Sequence, residues 1–244
     1  MPPRTRGLVE TVLGGVALAG ATASGALLFS LTQAGRGSLP ELVVTIGVPG
    51  TLALVAAVVL ARVTTGPRLV HAVLLGAGAG TAGTVALEVI RITGFRAFDS
   101  MPGDIAMLMG VLLLDRIMEG PSTASNLAGW GYHLWNGAMF GVTYAVTVGG
   151  FPRSRRSSYG GALLGAAYGA LLGTGFLAGP VPHSLGAGVF GVDFGPQFAV
   201  TVYLAHLAFG AVTGWLVHRY GTSITPLWEE AATGAGLGSR ADPR

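Results

Sequence analysis

The chain contains no cysteine and no lysine, and only 10% of its 244 residues are charged. Without thiols there is no disulfide, no thiolate metal site and no thiol redox chemistry, and cysteine usage gives no hint of the compartment. Without lysine there is no amine for a retinal-type Schiff base. All fourteen basic residues are arginine, and with eleven acids they leave a net charge of +3. These arginines are scattered at the ends of apolar segments and form no stripe, so nucleic-acid binding is not implied. What is abundant is apolar and small: 51% hydrophobic residues, 41 glycines and a mean hydropathy of +0.62. Soluble domains carry roughly 25% charged residues and about 7% glycine, so the composition predicts an all-α polytopic membrane bundle embedded in lipid and packed through small residues.

Uninterrupted apolar stretches of about 20 residues predict six spans. They are 8–32, 41–63, 69–93, 127–149, 158–178 and 196–218. A seventh stretch, 104–118, has an apolar part of only ten residues, Ile105 to Leu114, bracketed by Asp104, Asp115, Arg116 and Glu119. That length suits a re-entrant or interfacial helix, with a seventh crossing as the alternative. Charge placement favours six. With a cytoplasmic N-terminus, ten arginines (4, 6, 62, 68, 153, 155, 156, 219, 240 and 244) fall inside and four (36, 91, 96 and 116) outside, whereas a seventh crossing inverts the later segments to five against nine. Residues 1–221 then form one transmembrane domain in the cell membrane, and 222–244 a short, largely disordered cytoplasmic tail in which Trp228, beside Glu229 and Glu230, starts at most an interfacial turn.

One pattern recurs within the spans. His133-Leu134-x-x-Gly137-Ala138-x-x-Gly141 returns as His206-Leu207-x-x-Gly210-Ala211-x-x-Gly214, and Gly161-Ala162-x-x-Gly165 repeats its second half. Glycines four apart share one helix face, where a neighbouring backbone can approach closely, and a histidine one turn earlier points along the same seam. Gly76-Ala-Gly78-Ala-Gly80 and Gly165-Ala-Ala-Tyr-Gly169 resemble phosphate loops only superficially, because no strand precedes them. Pro49-Gly50 predicts a kink in the second span.

Ionisable side chains at membrane depth are functional candidates. Glu88, Asp115, Glu119, His133, Asn136 and His206 are expected to converge on an outward-facing pocket roofed by 104–118. His133, His206, Glu88, Asp115 and Glu119 make a mixed imidazole and carboxylate set suited to Zn, Mn or non-haem Fe, with Asn136 or Tyr203 orienting a substrate. The plainer alternative is an interfacial Glu88–Arg91 ion pair, a surface helix solubilised by Asp115 and Glu119, and histidines bonded to backbone carbonyls. His71 and His218 read as interfacial, and His183 as a loop residue.

The last span, Ala205-His206-x-x-x-Gly210-x-x-x-Gly214, together with six spans, resembles rhomboid intramembrane proteases. The matching Gly-x-Ser-Gly nucleophile is missing, since the fifth span offers Gly161-Ala-Leu-Leu-Gly165. Three functions are consistent with the residues. The first is a metal-dependent enzyme acting on a lipid, a quinone or another apolar substrate. The second is a cation- or proton-coupled transporter or channel. The third is a non-catalytic subunit of a membrane complex, or a homo-oligomer, in which the two histidines bind haem or brace the bundle.

Overall fold

The computed structural model describes residues 2–149, 158–222 and 224–235. The described residues are helical with no strand. In chain order the helices are α1 (Pro3–Ser24), α2 (Ala26–Gln33), α3 (Leu39–Leu42), a π-helical turn (Val43–Gly47), α4 (Val48–Thr64), α5 (Arg68–Phe98), α6 (Ile105–Leu113), α7 (Thr123–Thr147), α8 (Ser158–Ala178), α9 (Pro180–Ser184), a 3₁₀ turn (Val189–Gly191), α10 (Pro196–Tyr220) and α11 (Leu227–Gly234).

Five helical stretches are long and apolar enough to cross a bilayer: Arg4–Gln33, Leu39–Thr64, Arg68–Phe98, Tyr159–Ser184 and Pro196–Tyr220. Helix α7 matches them in length, with 25 residues, but falls short in composition. Ser125, Asn126, His133 and Asn136 are the reason, and two of them, Ser125 and Asn136, are buried against other helices. The short α6 has nine residues, roughly 14 Å of helix, which cannot cross a hydrocarbon core of about 30 Å. Asp104 caps it by accepting from the Met107 N–H at 3.2 Å.

Two of the long helices are irregular for local reasons. The first breaks at Gly25, which has φ −102° and ψ −135°. The carbonyls freed by the break are taken up by α7: the Tyr132 hydroxyl donates to Gly25 O at 3.1 Å and the Trp135 indole N–H to Ser24 O at 2.8 Å. In the second, the π turn Val43–Gly47 sits immediately before Pro49, whose ring clashes with the carbonyl four residues back and lacks the N–H to bond it. The expected kink at Pro49-Gly50 is thus placed one turn earlier.

Glycine seams hold the long helices together as antiparallel pairs. A Cβ at Gly80 would overlap Gly137 O, one at Gly76 would sit 2.6 Å from Gly141 O, and one at Gly141 would overlap Gly76 O. The same construction joins α8 to α10, where Gly165 and Gly210 would each overlap the other's carbonyl, and α6 to α7, where Gly110 meets Ser125 O and Gly129 meets Ala106 O. Contact at this range lets dispersion act between backbones, the main attractive force left when lipid replaces water. The repeated His-Gly-Gly pattern therefore marks the two helices, α7 and α10, that each pair through a seam.

The region after α10 departs from the expected disordered tail. Helix α11 packs along α1, with Leu227 against Gly14 and Gly234 against Leu8. Residues 236–244 and the basic loop with Arg153, Arg155 and Arg156 lie outside the described residues.

The seams predict a contrast within one helix. Gly80→Leu should lower thermal stability in detergent by several degrees or abolish folding, whereas Gly78→Leu, where an added Cβ meets nothing within 4 Å, should be nearly silent. Equal melting of the two variants would contradict the seam.

Candidate functional site

Glu88 and Arg91 are three residues apart on α5 and share the face turned toward α7. Both are buried, each 4% exposed. Arg91 Nε donates to Glu88 Oε1 at 2.7 Å and Nη2 donates to Glu88 Oε2 at 2.6 Å, a bidentate pair that holds the carboxylate ionised. Nη2 also donates to Asp104 Oδ1 at 3.2 Å, the same oxygen that caps α6. One guanidinium therefore ties the short helix to the long one.

His133 reaches this pair from α7, its Nε2 lying 2.9 Å from Glu88 Oε1. Because an ionised carboxylate only accepts, Nε2 carries the proton, and in the neutral imidazole Nδ1 is left as an acceptor. The seam sets this register: Gly76 and Gly80 meet Gly141 and Gly137, so His133 stands one turn on, level with Thr84, and Glu88 from the next turn of α5 meets its Nε2 by side-chain reach.

Beside the cluster lies a cavity of about 340 Å³. Its wall is overwhelmingly apolar, with Phe29 from α2, Ile105 and Met109 from α6, Phe140 from α7, Phe176 from α8 and Phe209 from α10. Among the polar exceptions, Arg91, His133 and Asn136 adjoin the Glu88 cluster with Thr84 close by, and His206, Thr201 and Ser30 line the same cavity. Three of these groups are buried without a hydrogen-bond partner: Arg91 Nη1, His133 Nδ1, and both amide atoms of Asn136, a residue only 4% exposed. A buried, unpaired polar atom costs about 1–3 kcal/mol, so several of them on residues that line one cavity leave hydrogen-bonding capacity there unmet.

The far end of the cavity is closed. Phe140, Phe209 and Leu172 pack there with Tyr168, whose hydroxyl donates to Phe140 O at 3.0 Å. Helix α8 packs on α10 rather than α7, and Tyr168 bridges the gap, its ring 5.2 Å from that of Tyr144. Leu171, 68% exposed, and the exposed Gly175 line the cavity from α8, so the cavity reaches the surface along that helix.

Of the residues expected to converge, Glu88, His133, Asn136 and His206 do so. His206 lines the cavity, its Nδ1–H donating to Val202 O at 2.8 Å and its ring 5.8 Å from that of Phe176. Asp115 and Glu119 do not join them. Both are exposed in the turn after α6, where Asp115 has φ +51° and Glu119 pairs with Arg116 at 2.7 Å. Tyr203 points away from the cavity lining, with its hydroxyl 3.1 Å from Thr174 Oγ1. Arg91 and Asp104, read from sequence as an interfacial partner and a helix bracket, are instead part of the cluster. The legible signal was Glu88-x-x-Arg91 inside an apolar helix.

The donor set suits a metal poorly. Both oxygens of Glu88 are occupied by Arg91, and a cation at His133 Nδ1 would face the guanidinium across the cavity. Among the described residues no three His, Asp or Glu side chains form a group that could hold an ion. Asp115 and Glu119 are thereby withdrawn as partners of the two histidines.

Removing one member of a buried ion pair strands the other, at about 3–5 kcal/mol, whereas removing both leaves no orphan charge. Glu88→Gln and Arg91→Met should each lower unfolding stability in detergent strongly, and the double variant by clearly less than their sum. Additive losses would show that the pair is not a coupled unit. The chain matches no family model, no curated protein and no solved structure, so its function is argued from this geometry alone.

Proposed function

We propose that this chain is an integral membrane protein of six crossings, with α7 as the fourth and α6 as a short re-entrant or interfacial roof, and that it binds an apolar or amphipathic small molecule drawn from the bilayer. The observation that carries the reading is the joining of unpaired polar atoms on Arg91, His133 and Asn136 to an otherwise apolar cavity of about 340 Å³. That volume lies in the range of small-molecule sites, where a mostly apolar wall supplies affinity and a few polar groups fix orientation. The open side between α7 and α8 would face lipid, giving such a molecule a route in without crossing water. Substrate turnover at the site would fall to His133, positioned by Glu88 as an acceptor of a proton, with Asn136 orienting the bound molecule. Passage through the bundle has less support, because the cavity ends on Phe140, Phe209 and Tyr168 and the seams beyond are packed backbone to backbone.

A variant can close the cavity without touching the fold. An added Cβ at Gly175 meets nothing within 4 Å, so Gly175→Trp should fill the mouth. Mass spectrometry of organic extracts should find a specific apolar molecule retained by the purified wild type and depleted several-fold in Gly175→Trp, with melting unchanged. Equal amounts in both, or nothing above bulk lipid in the wild type, would overturn the reading.

The arginine bias supports a cytoplasmic position for both termini. The absence of cysteine makes this simple to test by single-cysteine labelling with an impermeant maleimide in intact cells. His183→Cys should label and Arg155→Cys should not; the opposite pattern would reject the orientation.

A further inference from the structure

We infer that the molecule this cavity takes is a neutral amphiphile whose polar end carries a hydroxyl group, in preference to an anionic lipid or a fully apolar one. The inference rests on the small-molecule reading above and narrows it to a chemical class.

The argument begins with charge. The groups clustered at the polar end are Glu88, Asp104, Arg91 and His133. The single guanidinium is already matched by Glu88 at 2.6 Å and by Asp104 at 3.2 Å. With a neutral His133 the cluster carries a net negative charge, and with a protonated one it is balanced. Neither state offers the surplus positive charge that would repay desolvating a phosphate or carboxylate at this depth.

Hydrogen bonding then selects the head group. Arg91 Nη1 can only donate. In a neutral His133 Nδ1 accepts, because its partner nitrogen gives its proton to Glu88, and the head-group selection is that of this state. Asn136 offers its amide oxygen as a further acceptor, its nitrogen lying beside the hydroxyl of Tyr132, which itself donates to Gly25 O at 3.1 Å. A site that presents both a donor and acceptors is matched by a group that both accepts and donates. A hydroxyl does so; a ketone, an ether or an ester leaves His133 Nδ1 unpaired. The chain of the amphiphile would then lie along Ile105, Phe140, Phe176 and Phe209.

A series sharing one chain tests this: hexadecanol, hexadecyl methyl ether, palmitate and hexadecyl phosphate, each competing with tritiated hexadecanol for the wild-type protein in nanodiscs. Hexadecanol should bind roughly tenfold or more tightly than each of the others. Asn136→Leu should bring hexadecanol close to the level of the ether, and Gly175→Trp should abolish binding of all four. Preference for palmitate or the phosphate would overturn the inference. So would equal binding of all four that Gly175→Trp removes, although the cavity reading would then survive. No saturable binding of any of the four would overturn both.

Discussion

The close approach of α5 to α7 is the constraint on which the site depends. Where Gly76 and Gly80 meet Gly137 and Gly141, the backbones are too near to admit a side chain, and the register along the pair is fixed to within a residue. That register puts His133 level with Thr84, where Glu88 from the next turn of α5 can reach it and Arg91 can bridge to Asp104. Sliding the helices by one residue would move Glu88 off the shared face and bring a carbonyl onto an alanine methyl. The polar cluster thus depends on the backbone contact, which brings Glu88, Arg91 and His133 within hydrogen-bonding reach of one another.

The α8–α10 seam is a second pair of the same kind, and the cavity lies where the two pairs diverge. Gly83 on α5 abuts Phe209 and Thr213, which joins α10 to α5, whereas α8 and α7 are linked through the long side chain of Tyr168. Tight packing on three sides and a side-chain bridge on the fourth produce a pocket that is enclosed at depth and open at its flank. Its polar end is also the end at which α6, anchored to α7 through Gly110 and Gly129, lies across the bundle.

Much of this was legible in the sequence. Glycine spacing identified the seams, and the histidines one turn ahead of Gly137 and Gly210 do line the cavity, because a helix repeats every 3.6 residues whatever its surroundings. Asp115 and Glu119 miss the site because 104–118, expected as one helix roofing the pocket, does not stay helical to its end. The chain instead leaves α6 at Leu113 and turns through a positive φ at Asp115, which carries both carboxylates to the surface. Arg91 was discounted as interfacial because span edges were drawn from hydropathy, which ended the third span at residue 93. Helix α5 runs on to Phe98, so Arg91 is inside it and buried. Helix α7 shows the converse: His133 and Asn136, which line the cavity, are among the residues that lower its hydropathy below that of the other long helices.

Asp104 Oδ1 serves two masters, the N-terminus of α6 and the guanidinium of Arg91, each at 3.2 Å. A single oxygen shared in this way makes the interior and the surface parts of one thermodynamic system. On the proposed binding, a guest that drew Arg91 away from Asp104 would alter the free energy of seating α6. Linkage would run equally in reverse, so that a change in the seating of α6 would change the affinity of the cavity by the same factor.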